Sequence, residues 1–242
     1  MKKVAVLQSN YIPWKGYFDI INDVDTFVFY DEVQYTKNDW RNRNQIKTAN
    51  GLKWLTLPCG YDLTRKIYEV EIKNEIRWAK DHYNLMCQNY RKSPFFDRYK
   101  DFLSHVYLEK TWKYLYELNR YIITTISQDF LGIKTTFVDS REFETSGQKH
   151  EKLLNLVKAN LGESGGIYVS GPAAKDYIAE KDYTDAGIEI VWKDYSGYPE
   201  YPQPHGDFCH SVSVFDLLFN TGEEAPHYIW GWRKNTNHGE VT

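Results

Sequence analysis

Cysteine is scarce in this sequence: the 242 residues contain only Cys59, Cys87 and Cys209. This odd, widely spaced set has no CxxC pair, so it predicts no disulfide framework and favours reduced thiols in a cytosol. No run of about 18 apolar residues could form a membrane-spanning helix. The apolar run after the N-terminal lysines is too short for a signal-peptide core. These absences predict a soluble, cytoplasmic protein without a membrane partner.

Strong charge and the common catalytic motifs are also missing. The net charge is −3 at neutral pH, which argues against a dedicated nucleic-acid binder, because such a protein usually carries a basic face. No Gly-x-Ser-x-Gly, P-loop or Gly-x-Gly-x-x-Gly pattern occurs. Serine-hydrolase, Walker-type and dinucleotide-binding functions therefore have no motif support.

Aromatic residues, in contrast, are abundant. They make up 17% of the chain, with 20 Tyr and 8 Trp. Tyr and Trp offer a large face and a hydrogen-bonding edge, which suits the binding of sugars and nucleobases as well as packing. Composition alone does not separate these uses.

Short apolar runs alternate with helical patterns, which predicts an α/β fold with a Rossmann-like, mainly parallel sheet. Asn50-Gly51 predicts a β-hairpin. A helical layer is expected as an insertion at about 75–131, and residues 195–242 are expected to wrap the strand ends. The whole chain, 1–242, is thus predicted to be a single domain. The predicted strands are at about 3–8, 26–30, 135–138, 167–169 and 188–192, and two later helices at 148–161 and 172–180.

The loop after the first predicted strand is the first candidate site. At the carboxyl end of a parallel strand, backbone N–H groups and the next helix N-terminus favour an anionic ligand. Aromatic rings here can stack on a planar ligand, or they only close the end of the sheet. The candidate binding residues are Gln8, Asn10, Tyr11, Trp14, Lys15 and Tyr17.

A second polar loop follows the second predicted strand. Arg41 and Arg43 lie two apart, so on an extended segment they face the same side, a spacing that can clamp a diphosphate. Asp31 at the strand end is a candidate catalytic base. The alternative is a solvated entrance to the hairpin. The candidate binding residues here are Gln34, Tyr35, Trp40, Arg41, Asn42 and Arg43, with Tyr35 and Trp40 as stacking platforms for a nucleobase.

A third candidate is the turn Ser170-Gly171-Pro172, followed by Lys175. Proline in a first helical turn, with Ser170 as the cap, predicts an anion-receptive helix N-terminus, or merely a capped helix. Because each of the three loops follows a strand of the predicted sheet, we expect them to converge on one pocket.

Histidine supplies the remaining candidates. His210 is a candidate catalytic base and His205 a candidate binding residue, since imidazole titrates near neutrality. Together with Cys209 they lack a fourth ligand at zinc spacing, so no metal site is predicted. Three further histidines are expected on helix surfaces, namely His82, His105 and His150.

Three segments, Gln8–Phe18, Tyr168–Gly171 and Ser211–Gly222, resemble the WbqC-like family, bacterial proteins often encoded among genes for O-antigen and other surface polysaccharides. The first loop also resembles the nucleotidylyltransferase pattern Pro-x-His-x-Gly-His. Here Trp14-Lys15-Gly16-Tyr17 fills the His-x-Gly-His positions without either histidine. This departure favours nucleotide or nucleotide-sugar binding over adenylyl transfer.

The polysaccharide context implied by the resemblance, together with the polar and aromatic loops, predicts an enzyme that forms an amide on an amino sugar, carried as a nucleotide-linked sugar. The reaction would be acyl or aminoacyl transfer, glycyl transfer for example, or ATP-dependent ligation, with acyl-CoA or ATP as the donor. His210 or Asp31 would be the base, and Ser170, Asn42 or backbone N–H groups the oxyanion donors. The alternative is a non-catalytic nucleotide-sugar-binding or assembly module. A homo-oligomer is compatible with either function.

Overall fold

The computed structural model describes residues 1–233, and the end of the predicted C-terminal wrap, 234–242, lies outside the described residues. Strands and α-helices alternate along most of this length. In chain order they are β1 (Lys3–Leu7), α1 (Lys15–Asn22), β2 (Thr26–Phe29), β3 (Arg43–Thr48), β4 (Gly51–Thr56), α2 (Trp78–Tyr90), α3 (Phe96–Ser104), α4 (Leu115–Thr125), β5 (Thr136–Asp139), α5 (His150–Leu161), β6 (Gly166–Ser170), α6 (Glu180–Asp185), β7 (Ile188–Trp192) and α7 (Val214–Thr221).

Five of the strands form one parallel sheet in the order β5-β2-β1-β6-β7. The central strand β1 pairs on one side with β2, where Val4 lies opposite Thr26, and on the other with β6, where Val4 lies opposite Tyr168. β3 and β4 form a separate antiparallel hairpin. The predicted α/β class, with a parallel sheet, a hairpin and helices, is confirmed.

The sheet is buried on both faces, as its apolar strands require. Val4 and Val6 of β1 pack with Leu156 of α5 on one face, while Ala5 packs on the opposite face in the cluster that includes Ile20 of α1. Side chains that alternate along one strand thus belong to two cores. The helices α2, α3 and α4 lie within the segment predicted as a helical layer, and their apolar residues join the second of these cores.

The strand order reverses at β1, because the chain proceeds from β1 to β2 and β5 on one side and then returns to β6 on the other. Ligands of open α/β sheets bind outside the carboxyl ends of the strands at such a switch point. In this chain the switch point lies between Leu7 and Ser170, the last residues of β1 and β6.

Two predicted helices differ in detail. The helix expected at 172–180 is only a 3-10 turn, Pro172–Asp176, and α6 begins later, at Glu180. Ala174 and Ile178 are both buried in the core beside β6, so the chain turns inward there instead of continuing along one axis. α5 begins at His150 and follows Lys149, whose φ is +49°. Within residues 1–233, no helix is both long enough and apolar enough to cross a membrane.

Candidate functional site

A cavity of about 750 Å³ opens at the switch point between β1 and β6. All three predicted loops contribute to it: Gln8 follows β1, Arg41 lies in the loop after β2, and Gly171 follows β6. Convergence of these loops was the expectation from their places after neighbouring strands. The residues lining this large cavity are Val6, Leu7, Gln8, Tyr30, Val33, Arg41, Lys149, His150, Leu153, Ser170, Gly171, Ala173, Ala174 and Tyr177.

Arg41 is held in place at this cavity by two neighbours. Its Nη1 donates to Asp39 Oδ2 at 2.8 Å, and its Nη2 donates to Gln8 Oε1 at 3.1 Å. The side chain is 21% exposed, so the guanidinium is partly shielded from water. A guanidinium that is already oriented loses less rotamer freedom when an anion binds.

A smaller cavity has a volume of about 320 Å³. Residues close in sequence line the two: Asn10 and Trp40 face the small cavity, and Gln8 and Arg41 the large one. The small cavity has indole side chains in its wall and includes Asn10, Pro13, Trp14, Trp40, Asn44 and Ser211.

The indoles of the small cavity are positioned by local contacts. Trp14 lies over Gly16, where a Cβ would stand only 2.2 Å from a carbon of the indole. Glycine is therefore required at this position for the ring to fold back. Trp40 is 43% exposed, and its ring centroid lies 5.7 Å from that of Trp54 in β4. Asn44 donates from Nδ2 to Ile12 O at 2.9 Å, which fixes the loop that carries Trp14.

Ser170 and Lys175 differ from their predicted roles. Ser170 lines the large cavity, but its Oγ donates to Tyr168 Oη at 3.4 Å, and Gly171 starts the following turn without a side-chain cap. The prediction that Ser170 caps a helix is thus wrong, because its side chain points back along β6. Lys175 lies outside the cavity lining, with Nζ over the Trp192 ring at 5.5 Å.

Several predicted binding residues hold the loops instead of lining either cavity. Tyr11 is fully buried, and its Oη is 2.8 Å from His82 Nδ1 and 2.7 Å from Tyr107 Oη. His82 is therefore a core residue, which corrects its predicted surface position, and burial lowers its pKa to about 4. The others are Tyr17, which donates to Gln8 O; Asn42, which donates to Leu57 O; Gln34, which donates to Leu63 O; and Tyr35, which is buried.

Asp31, the predicted base, is completely buried. Its Oδ1 accepts from Ser9 N at 2.8 Å, and its Oδ2 accepts from Arg120 Nε at 2.7 Å. Burial raises the pKa of the carboxyl, while Arg120 and the Ser9 hydrogen bonds oppose that rise. Arg120 also pairs with Asp139 at the end of β5. Asp31 thus ties the ends of three strands to α4, and it lines neither cavity, a position that favours a structural role over that of a base.

Arg43 does not share the ligands of Arg41. Its guanidinium lies 4.2 Å from the centroid of the Trp54 ring, on the hairpin. Arg41 faces the large cavity, whereas Arg43 is not part of the lining of either cavity. The structure therefore brings only one of the two predicted arginines to the candidate phosphate position.

Lys15 and His210 lie together in a third region, formed by α1 and the segment before α7. Lys15 is buried, with Nζ 4.9 Å from the Tyr198 ring centroid and 3.3 Å from Pro199 O, and burial lowers its pKa to about 8. His210 is partly buried against Phe208, with ring centroids 4.6 Å apart. Burial lowers the pKa of His210, and Lys15 adds to this effect.

His205 and His210 therefore lie outside the two cavities. His205 is part of a separate cavity beside the hairpin, and its Nε2 is 3.4 Å from Asn89 O. Among residues 1–233, no group of three or more His, Cys, Asp or Glu side chains is arranged to hold a metal ion.

Lys149 and His150, which were not among the predicted binding residues, line the large cavity at the start of α5. His150 was expected on a helix surface. In the structure its Nε2 lies 2.9 Å from Asp182 Oδ2 on α6. Lys149 adopts a positive φ of 49°, which is uncommon for a residue with a side chain and is often found at functional sites. The only sequence signal was a His directly after a Gly- and Lys-containing loop at a helix start.

Comparison with known proteins identifies the family of this chain. The WbqC-like protein family matches residues 8–228. The chain belongs to the WbqC-like protein family. It is 44% identical over 231 residues to the uncharacterized protein Rv1507c of Mycobacterium tuberculosis, an alignment that covers 95% of this chain and 98% of that protein. No solved structure matches the chain.

The residues that line the two cavities of this WbqC-like protein favour different parts of a ligand. Arg41 and Lys149 line the large cavity, and no Asp or Glu of the described residues lines either cavity. The N-terminus of α5 also faces the large cavity, since His150 is its first residue. Fixed positive charge and a helix N-terminus favour phosphate or carboxylate groups. Indole walls in the small cavity suit a planar or sugar ring.

Proposed function

We propose that this WbqC-like protein binds a nucleotide-linked amino sugar and forms an amide on the sugar amine. The observation that carries the proposal is that the consecutive residues Trp40 and Arg41 line the small and the large cavity, respectively. An aromatic cavity beside a basic one matches the order of groups in a nucleotide sugar: a planar base, a diphosphate and a polar ring.

In this arrangement the nucleobase occupies the small cavity against Trp14 and Trp40. The diphosphate lies at the boundary, where Arg41 donates to it. The amino sugar occupies the large cavity near Lys149 and Ser170. A volume of about 750 Å³ is at the upper part of the range for small-molecule sites, so it leaves room for an acyl donor beside the sugar.

The reaction is the transfer of a small acyl or aminoacyl group, such as glycyl, from an acyl-CoA or from an acid activated by ATP. Two features support this class: the turn after β6, which lines the cavity, carries backbone N–H groups that can stabilise an oxyanion, and the family resemblance implies surface-polysaccharide genes, including those for O-antigen. The work of the enzyme would then be cytoplasmic modification of a sugar nucleotide. Self-association would not alter this chemistry, because both cavities are formed by one chain.

Mass spectrometry of reaction mixtures tests the proposal. Purified protein is incubated with UDP- and dTDP-linked amino sugars, with ATP plus amino acids in one series and with acyl-CoAs in another. The expected result is a sugar nucleotide whose mass has increased by one acyl group and whose amine no longer reacts with amine reagents. Binding without any mass increase would favour the alternative, a non-catalytic nucleotide-sugar-binding or assembly module. Absence of both would refute the site.

Matched variants keep that test specific. Arg41→Ala removes the cation at the cavity boundary, whereas Arg43→Ala removes an arginine that lies on Trp54. Product formation is expected to fall in the first variant and to persist in the second. If product formation instead fell in Arg43→Ala and persisted in Arg41→Ala, the phosphate would bind at the hairpin.

A further inference from the structure

We infer that His150, oriented by Asp182, is the general base that takes a proton from the ammonium group of the bound amino sugar. The inference rests on the proposed function and deepens it. His150 takes the role that the sequence pattern suggested for His210 or Asp31.

The hydrogen bond between the two residues fixes the state of the imidazole. His150 Nε2 lies 2.9 Å from Asp182 Oδ2. A carboxylate only accepts hydrogen bonds, so Nε2 carries a proton, and in the neutral imidazole Nδ1 then carries the lone pair. Nδ1 has no hydrogen-bond partner among residues 1–233, and His150 lines the large cavity. Asp182 therefore holds the neutral imidazole in the tautomer that can accept a proton from a ligand.

Position separates His150 from the other candidates. Asp31 is fully buried with both oxygens occupied, and His210 lies beside Phe208, outside the two cavities. Among the described residues that line the cavities, His150 is the only histidine, and no carboxylate lines either cavity. Asp182 does not line either cavity, so it acts through the imidazole as a positioning residue.

The step balances with an acyl thioester or acyl adenylate as the donor. The sugar ammonium gives a proton to Nδ1 of His150, and the freed amine attacks the carbonyl carbon. The C–N bond forms, and the C–S bond of the thioester or the C–O bond of the adenylate breaks. The proton on His150 then passes to the leaving thiolate, or to solvent when AMP departs. The second proton of the attacking nitrogen leaves to solvent as the amide becomes neutral.

Turnover and binding are measured separately in His150→Ala, His150→Gln and Asp182→Asn. General-base removal typically costs about 10²–10⁴-fold, so this loss of kcat is expected in both His150 variants, with the Kd for the sugar nucleotide within about threefold of the wild type. Added imidazole is expected to recover part of the kcat of His150→Ala. Asp182→Asn is expected to lower kcat less, without raising KM. His150→Gln keeps an N–H donor for Asp182 and guards against a misfolded alanine variant.

His105→Ala is the matched control, because His105 also lies beside a carboxylate, Glu109, at 3.3 Å, but outside both cavities. Its kcat should equal that of the wild type. Wild-type kcat in the His150 variants, or a loss that follows a loss of sugar-nucleotide affinity, would overturn the base assignment while leaving the proposed function intact. A wild-type protein that forms no amide with any donor refutes the proposed function and the base role together.

Discussion

Replacement of Asp31 by asparagine is expected to weaken the fold, although the protein would still present both cavities. Asp31 joins Ser9 N, at the end of β1, to Arg120 on α4, with N–O distances of 2.8 and 2.7 Å. The carboxylate is fully buried and the guanidinium is 15% exposed. The variant keeps an amide oxygen for Ser9 but leaves Arg120 with Asp139 as its remaining acidic partner.

The magnitude follows from these contacts. Removing one partner of a buried ion pair costs about 3–5 kcal/mol. Because Asp139 still pairs with Arg120 and the asparagine oxygen still accepts from Ser9, we expect the lower end, about 3 kcal/mol in the free energy of unfolding. For a chain of this size, each kcal/mol lowers the Tm by roughly 2–4 °C, so a decrease of about 6–12 °C is expected.

Thermal unfolding followed by circular dichroism, with urea unfolding alongside it, checks this value. Asp97→Asn is the control, since it breaks the exposed ion pair with Lys100 at 3.1 Å and should change the Tm by less than about 2 °C. If Asp31→Asn melts with the wild type yet loses amide formation, the reasoning fails, and Asp31 returns as a catalytic residue.

Three further changes test other contacts. Trp40→Ala should raise the Kd for a nucleotide sugar by about 5- to 150-fold, since stacking on an aromatic ring is worth about 1–3 kcal/mol per base, and calorimetry would measure it. The wild type should gain stability between pH 8 and pH 10, because Lys15 has a pKa of about 8 in the folded protein whereas an unfolded lysine keeps its proton up to about 10.4. Lys15→Met lacks this gain, so its Tm minus that of the wild type should fall over the same pH range; a constant difference would refute the shift. The wild type should lose stability as the pH falls from about 6.5 to 4, because the pKa of buried His82 is lowered to about 4 in the folded protein. His82→Gln should lose less over this range; urea unfolding at each pH measures the free energy of unfolding, and the same pH dependence in both proteins would contradict the prediction.

The sequence predicted what depends on local pattern. Apolar runs such as Val4–Leu7 indicated buried parallel strands, and the Asn50-Gly51 turn indicated the hairpin. The places of Gln8 and Arg41 followed from the rule that loops after parallel strands meet at one edge of the sheet. For these residues, chain position relative to a strand end was sufficient information.

Contacts between residues far apart in the chain could not be predicted from the sequence pattern. His82 has a polar side chain on a helix, but its burial depends on Tyr11, 71 positions away. The orientation of His150 depends on Asp182, 32 positions away. Arg43 shares an extended-segment spacing with Arg41, yet the register of the hairpin places it on Trp54. Each outcome was decided by how helices and hairpin dock on the sheet, which periodicity does not encode.

Calorimetric titration of the wild-type protein and Arg41→Ala with UDP- and dTDP-linked amino sugars tests the central claim most directly. The account predicts one site per chain in the wild type. It predicts a Kd about 10- to 150-fold higher in Arg41→Ala, because a hydrogen bond to a charged group is worth about 1.5–3 kcal/mol. No binding by the wild type, or the same Kd in both proteins, would contradict the assignment of the two cavities to a nucleotide sugar.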